Sequence, residues 1–114
     1  MFSLIRQTQH PLIVDALPSF AIELTELLVK ANESVLAEHV KALRIVDRCR
    51  CEDDFCATFY TEPKPSGRYG SDHRCIELEP KEGMVILDVV GSRIARVEVL
   101  YRDEVQKVLR AFGP

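Results

Sequence analysis

A chain of 114 residues with 46% hydrophobic content has enough apolar surface for one packed domain, spanning 1–114, and is not a disordered segment. Its net charge of −3 lacks the basic surplus that nucleic-acid binding needs. No apolar run approaches the ~18 residues of a membrane span, and the first twenty residues show no secretion signal. A cytoplasmic protein is expected, its four cysteines serving as thiols or metal ligands rather than as a disulfide scaffold.

In chain order, Phe20, Leu24, Leu27, Leu28 and Ala31 follow helical spacing, with Pro18 near the start. They predict a helix over 18–31. Asn32 suits the end of that helix and the cap of the next. Leu36, Val40 and Leu43 continue as the stripe of a second helix over 33–43.

From Arg44 the apolar period falls to two. Strands are expected at 44–51 and 55–61, around an acidic turn of Glu52, Asp53 and Asp54. A loop rich in Pro and Gly follows, then strands at 74–79, 84–90 and 93–101. Asp103 and Gln106 have capping-box spacing. They open a helix over 103–112 with Val105, Val108, Leu109 and Phe112 as its stripe, stopped by Gly113-Pro114. The fold class is α+β: an N-terminal helix pair, a mainly antiparallel sheet of about five strands, and a C-terminal helix.

A Gly91-Ser92 loop pairs Val90 with Arg93 in a type II′ hairpin. Strict alternation then places Met84, Ile86, Val90, Ala95, Val97, Val99 and Tyr101 on one face with Asp88. Val85, Leu87, Val89, Ile94 and Leu100 fall on the other, interrupted by Arg96 and Glu98. Both faces want cover, and this suggests a homodimer through a sheet face. Asp47 and Asp88 fall on faces expected to be buried.

The segment Asp47–Cys56 carries Cys49, Cys51 and Cys56. A three-residue turn pairs Cys51 with Phe55. It buries Cys49 and Cys51 near Phe55 and Phe59, and leaves Cys56 beside Arg48 and Arg50. A four-residue turn pairs Cys51 with Cys56 and gathers all three thiols. The first register separates apolar from polar residues and is the one expected. Cys49 and Cys51 are then core residues with no cofactor. The alternative is zinc on Cys49, Cys51 and Cys56 with His73 or Cys75 as the fourth ligand, although C-x-C-x4-C lacks a paired knuckle. A third reading makes Cys56 a reactive thiol activated by the two arginines.

Arg48 and Arg50 with Tyr60 form a candidate carboxylate or phosphate site. The long loop adds Lys64, Arg68, Tyr69, His73 and Arg74. His10 and His39 stand alone. No nucleophile, base and orienting group assemble into a triad.

The segments "VDRCRCEDDFCATFYT" and "GMVILDVVGSRIARVEVLYRDEV" resemble a group of small bacterial proteins of unknown function. The resemblance implies a bacterial source and carries no catalytic residue. The expected function is a non-enzymatic protein-interaction module, adaptor-like or immunity-like by analogy, with an unnamed protein partner. A zinc protein using the cysteine cluster comes second and a thiol-dependent enzyme at Cys56 third.

Overall fold

The structure, a computed structural model, describes residues 10–111. The helices are α1 (Ile13–Ala16), α2 (Pro18–Lys30), α3 (Ser34–His39) and α4 (Asp103–Arg110). The strands are β1 (Asp47–Arg48), β2 (Phe59–Tyr60), β3 (His73–Leu78), β4 (Met84–Val90) and β5 (Arg93–Leu100). All pairings are antiparallel, in the order β1-β2-β5-β4-β3. The fold is α+β as expected. Phe112, Gly113 and Pro114 lie outside the described residues.

Helix α2 starts at Pro18, whose missing N–H costs nothing in a first turn. Asn32 ends it with φ of 63°. Asn32 N–H donates to Val29 O at 3.0 Å and Glu33 N–H to Leu28 O at 2.8 Å, so the end is a Schellman motif. The second half of the Asn32 expectation fails. Glu33 stands at the cap of α3, and no side chain caps it. The second helix is also shorter than 33–43 because its end tightens into a 3-10 turn over Val40–Ala42. Helix α1 was not expected. Its Ile13 is fully buried and donates its N–H to Leu43 O at 2.9 Å, so tertiary packing makes it.

The capping box at α4 does not form. Asp103 is the first helical residue, Arg102 precedes it, and no side chain caps the end. Gln106 instead turns its amide toward the cysteine loop, as described below.

The β4–β5 hairpin holds the centre of the sheet. Val90 pairs with Arg93 as expected. Gly91 has φ of +62°, as the first loop position of a type II′ turn requires. Strict alternation then breaks. Val89 pairs with Ile94 but Asp88 pairs with Arg96, so Ala95 is an extra residue and the strand bulges. From Arg96 onward every side chain changes face relative to the unbulged register. Val97 and Val99 join Val85, Leu87, Val89 and Ile94 in the core, all 2% exposed or less. Arg96 and Glu98 join Ile86 and Asp88 opposite. The bulge clears the charged residues from the core face and sets Arg96 and Glu98 among Met84, Ile86, Val90 and Leu100 opposite, so the expected assignment of faces is corrected.

The helices cover the apolar face. Phe20 of α2 meets Phe59 of β2 edge to face at 6.3 Å. Leu24, Leu28, Val105 and Leu109 complete that side of the core. Cross-strand partners Arg48, Phe59, Val97, Leu87 and Ile76 form one row across this face. The next row, on the opposite face, runs Asp47, Tyr60, Arg96, Asp88, Cys75. It positions the chemistry described next.

Candidate functional site

Strands β1 and β2 are much shorter than 44–51 and 55–61 because only two residues of each pair. Their register is nevertheless decisive. Asp47 pairs with Tyr60 and Arg48 with Phe59, and Cys49 N–H donates to Thr58 O at 2.9 Å. Continuing this register sets Cys51 opposite Cys56. The expected pairing of Cys51 with Phe55 is therefore corrected. Cys51 is exposed, and Cys49 and Cys56 are half-buried, so Cys49 and Cys51 are not core residues. Phe55 is 41% exposed and stacks on Tyr101 at 5.3 Å instead of entering the core.

One reason is Thr58. Its hydroxyl accepts from Val99 N–H at 3.1 Å, which makes a polar residue acceptable in a buried position. A second is Gln106 of α4. Its amide donates to Asp54 O at 2.7 Å and Cys56 O at 2.9 Å, clamping the acidic turn and the third cysteine to the helix. Glu52 takes a φ of 67° to let the chain close.

The Sγ atoms of Cys49, Cys51 and Cys56 all lie within 4.8 Å of one another, all as free cysteines. They line a small depression with Arg48, Thr58, Gln106 and Leu109. Burial pushes the Cys56 thiol up. Hydrogen bonds from the Thr58 hydroxyl and N–H and from the two neighbouring thiols outweigh it, and hold Cys56 below the ordinary thiol range. Cys51 moves oppositely. The Asp53 backbone favours its thiolate, but its contacts with Cys49 and Cys56, burial and the Cys56 charge push it up to about 11. Chemically this is a set of three convergent sulfur donors, a group that could hold a metal ion.

His73 and Cys75 do not join this group. They lie on β3, at the opposite edge from β1, with four strand spacings or about 19 Å between the edge strands. The five-residue metal set is corrected to two separate clusters. In the second, Cys75 stands directly opposite Asp88, and His73 lies diagonally across from it. His73 Nε2 donates to Asp88 Oδ1 at 2.7 Å, and Cys75 Sγ donates to the same oxygen at 3.3 Å. Arg96 Nη1 donates to Oδ2 at 3.0 Å. Burial opposes ionisation of Asp88, but His73, Arg96 and Cys75 together hold its carboxyl below the usual range. The Asp88 contact is also what pushes the Cys75 thiol up. Tyr69 stacks on His73 at 4.7 Å.

Of the anion-site candidates, Arg50 is engaged by Asp47 Oδ1 at 2.7 Å and by Arg48 O at 3.0 Å. Asp47, expected to be buried, is exposed in that pair. Tyr60 turns toward Arg96 and Lys64, whose cationic groups sit 5.8 and 6.0 Å from its ring centroid. Arg68 is exposed on the long loop, and His10 and His39 are exposed as well. Arg48, Arg50, Tyr60 and Arg68 therefore do not form one pocket. Gln106 and Arg96 escaped the sequence reading: one looked like a cap and the other sat on the wrong face until the bulge was known.

No helix is long and apolar enough to cross a membrane, among the described residues. No family model matches the chain, and no curated protein or solved structure matches it significantly.

Proposed function

We propose that the chain is a metal-binding protein that takes a thiophilic cation, with zinc as the reference case, on Cys49, Cys51 and Cys56. The observation that carries this is the convergence of three thiols within 4.8 Å. On a tetrahedral zinc with Zn–S near 2.3 Å, the sulfur atoms stand roughly 3.8 Å apart. The trio needs a contraction of at most about 1 Å to reach that spacing. Cys56, whose thiol is held below its ordinary range, is also tied in place by Thr58 and Gln106. Three thiolates leave one tetrahedral position open, and exposed Cys51 puts that position within reach of solvent or another ligand. A thiol enzyme gains no such support, because the histidine paired with an acid lies at the far edge of the sheet.

The test uses the Cys75→Ser chain, in which every remaining thiol belongs to the trio. One equivalent of zinc should protect all three from maleimide, and metal analysis should return one zinc per chain. Labelling unchanged by zinc overturns the reading.

A second reading is the protein-interaction module expected from the sequence. It rests on Ile22, Val29 and Val35, which expose apolar side chains on α2 and α3. Light scattering on the wild-type chain and on Ile22→Glu/Val29→Glu tests the homodimer form. A dimer mass that falls to monomer supports it, and a monomer in both removes it.

A further inference from the structure

We infer that His73, Cys75 and Asp88 form a second divalent-metal site, distinct from the cysteine trio and built for a borderline cation such as zinc or cobalt(II). The donor set is one imidazole, one thiolate and one carboxylate, the mixture that such cations accept with a fourth position left to water.

The spacing fits. Donor atoms on a tetrahedral zinc stand roughly 3.3–3.6 Å apart for these ligand types. Here Nε2 to Oδ1 is 2.7 Å, Sγ to Oδ1 is 3.3 Å and Sγ to Nε2 is 3.9 Å. A cation entering the triangle spreads the first pair by about 0.6–0.9 Å and draws in the last by about 0.3–0.6 Å. Both movements are rotations of side chains on neighbouring positions of a paired ladder.

The supporting shell also fits. Ligating carboxylates are oriented by hydrogen bonds to their second oxygen, and Arg96 Nη1 fills that role on Oδ2 at 3.0 Å. Tyr69, stacked at 4.7 Å, fixes the ring plane of His73. Asp88 is only 6% exposed, whereas Cys75 is exposed, so the triangle has a buried base and an open entry. Charge balances as well. Asp88, a Cys75 thiolate and Glu98, which lies 3.7 Å from Arg96, offset a divalent cation and the guanidinium.

Binding exchanges protons for metal. The Cys75 thiol proton leaves to solvent, and His73 binds through Nε2 as the imidazole whose one proton sits on Nδ1. The same geometry speaks against a cysteine–histidine–aspartate nucleophile. There the imidazole stands between thiol and acid, whereas here one carboxylate oxygen receives both donors.

The test removes the first site and reads the second. The full chain carrying Cys49→Ser, Cys51→Ser and Cys56→Ser should bind one equivalent of zinc in competition with a chromophoric chelator. Adding Cys75→Ser or His73→Gln should abolish that binding. Arg96→Gln should weaken it by about 10–100-fold. A triple-serine chain that unfolds cooperatively yet binds no zinc overturns the inference, as does binding that survives both ligand substitutions. Should the triple-serine chain not fold, the wild-type chain supplies the readout. Saturating zinc should slow maleimide labelling of Cys75 at least about tenfold, and His73→Gln should cancel that protection. Cys75 labelling indifferent to zinc in both chains overturns the site whatever the trio does.

Discussion

Asp88 faces Arg96 across the β4–β5 ladder, and the two side chains meet at 3.0 Å, because Ala95 is bulged out of the pairing between them. The bulge decides which face every residue from 96 to 100 occupies. Deleting Ala95 should therefore close the bulge and leave Arg96 opposite Asp88 and Val97 opposite Leu87, so the cooperative urea transition should survive. Deleting Val97 instead sets Glu98 or Arg96 opposite Leu87, in the core, and should abolish that transition. A Val97 deletion that unfolds cooperatively near the wild-type midpoint would remove register from this role.

The same pair predicts a stability effect. Asp88 is buried and accepts three donors, so Asp88→Ala strands a guanidinium, an imidazole and a thiol together. Arg96 Nε is already buried without a hydrogen-bond partner, and part of the pair's gain is spent on that group. A loss of about 2–3 kcal/mol is expected from urea denaturation in metal-free buffer. Asp88→Asn, which keeps an acceptor oxygen, should cost less. Equal losses in the two variants would argue that shape alone holds the site.

Much of this arrangement was legible in the residues themselves. Strand β4 is an apolar run bounded by Gly83 and Gly91, and its limits were read residue for residue. The Val90–Arg93 register followed from the glycine in the loop. The bulge was not legible, since "ARVEV" alternates equally well in either parity. The placement of Arg96 and Glu98 among apolar residues was the signal that a slip of one would relieve. The cysteine hairpin was misread because burying Phe55 looked better than burying Thr58. Stacking on Tyr101 and the Val99 backbone reversed that preference. The separation of the two clusters depends on β2 pairing with β5, a contact across more than thirty residues that no local pattern carries.

The trio makes a prediction for thiol chemistry in the metal-free chain. Cys56 is held below the ordinary thiol range and Cys51 is pushed up to about 11. Alkylation by iodoacetamide, followed by peptide mapping, should therefore show the Cys56 rate rising at lower pH than that of an ordinary thiol, near 8.5. The Cys51 rate should rise at higher pH than that of Cys56, although its side chain is the more exposed. Thr58→Val should move the Cys56 inflection upward. A common inflection for both residues would mean that the thiols do not share a proton network.

Gly83 predicts a backbone effect. It has φ of +71°, and a Cβ built there would run into the carbonyl oxygen of Leu100 and the stem of Arg102. Gly83→Ala should destabilise the chain by about 2–3 kcal/mol, combining left-handed strain with that clash. Gly91 has a similar φ of +62°, but its nearest neighbour is the flexible Asp72 carboxylate at 3.4 Å. Gly91→Ala should cost only about 1 kcal/mol. Thermal midpoints that fall equally would show that conformation, not contact, sets both losses.

Arg102 ties α4 to α2 and to its own first turn. It is 8% exposed, and its guanidinium meets Glu23 at 2.6 and 2.9 Å and Glu104 at 2.7 and 2.8 Å. Burial works to raise the Glu104 carboxyl, but the Arg102 hydrogen bond outweighs it and holds the group below its ordinary value. A folded pKa below the unfolded one stabilises the chain fully above the unfolded value, near 4.3. That stability is lost as pH falls through the folded value. Arg102→Met should therefore cost about 1–2 kcal/mol at pH 7, a modest figure because water can reach both freed carboxylates. The gap between wild type and variant should narrow when urea midpoints are compared again below about pH 4. A gap that stays constant across this range would mean that Arg102 contributes through the packing of its stem against Phe20, whose ring lies 5.8 Å from the guanidinium carbon, and not through its charge.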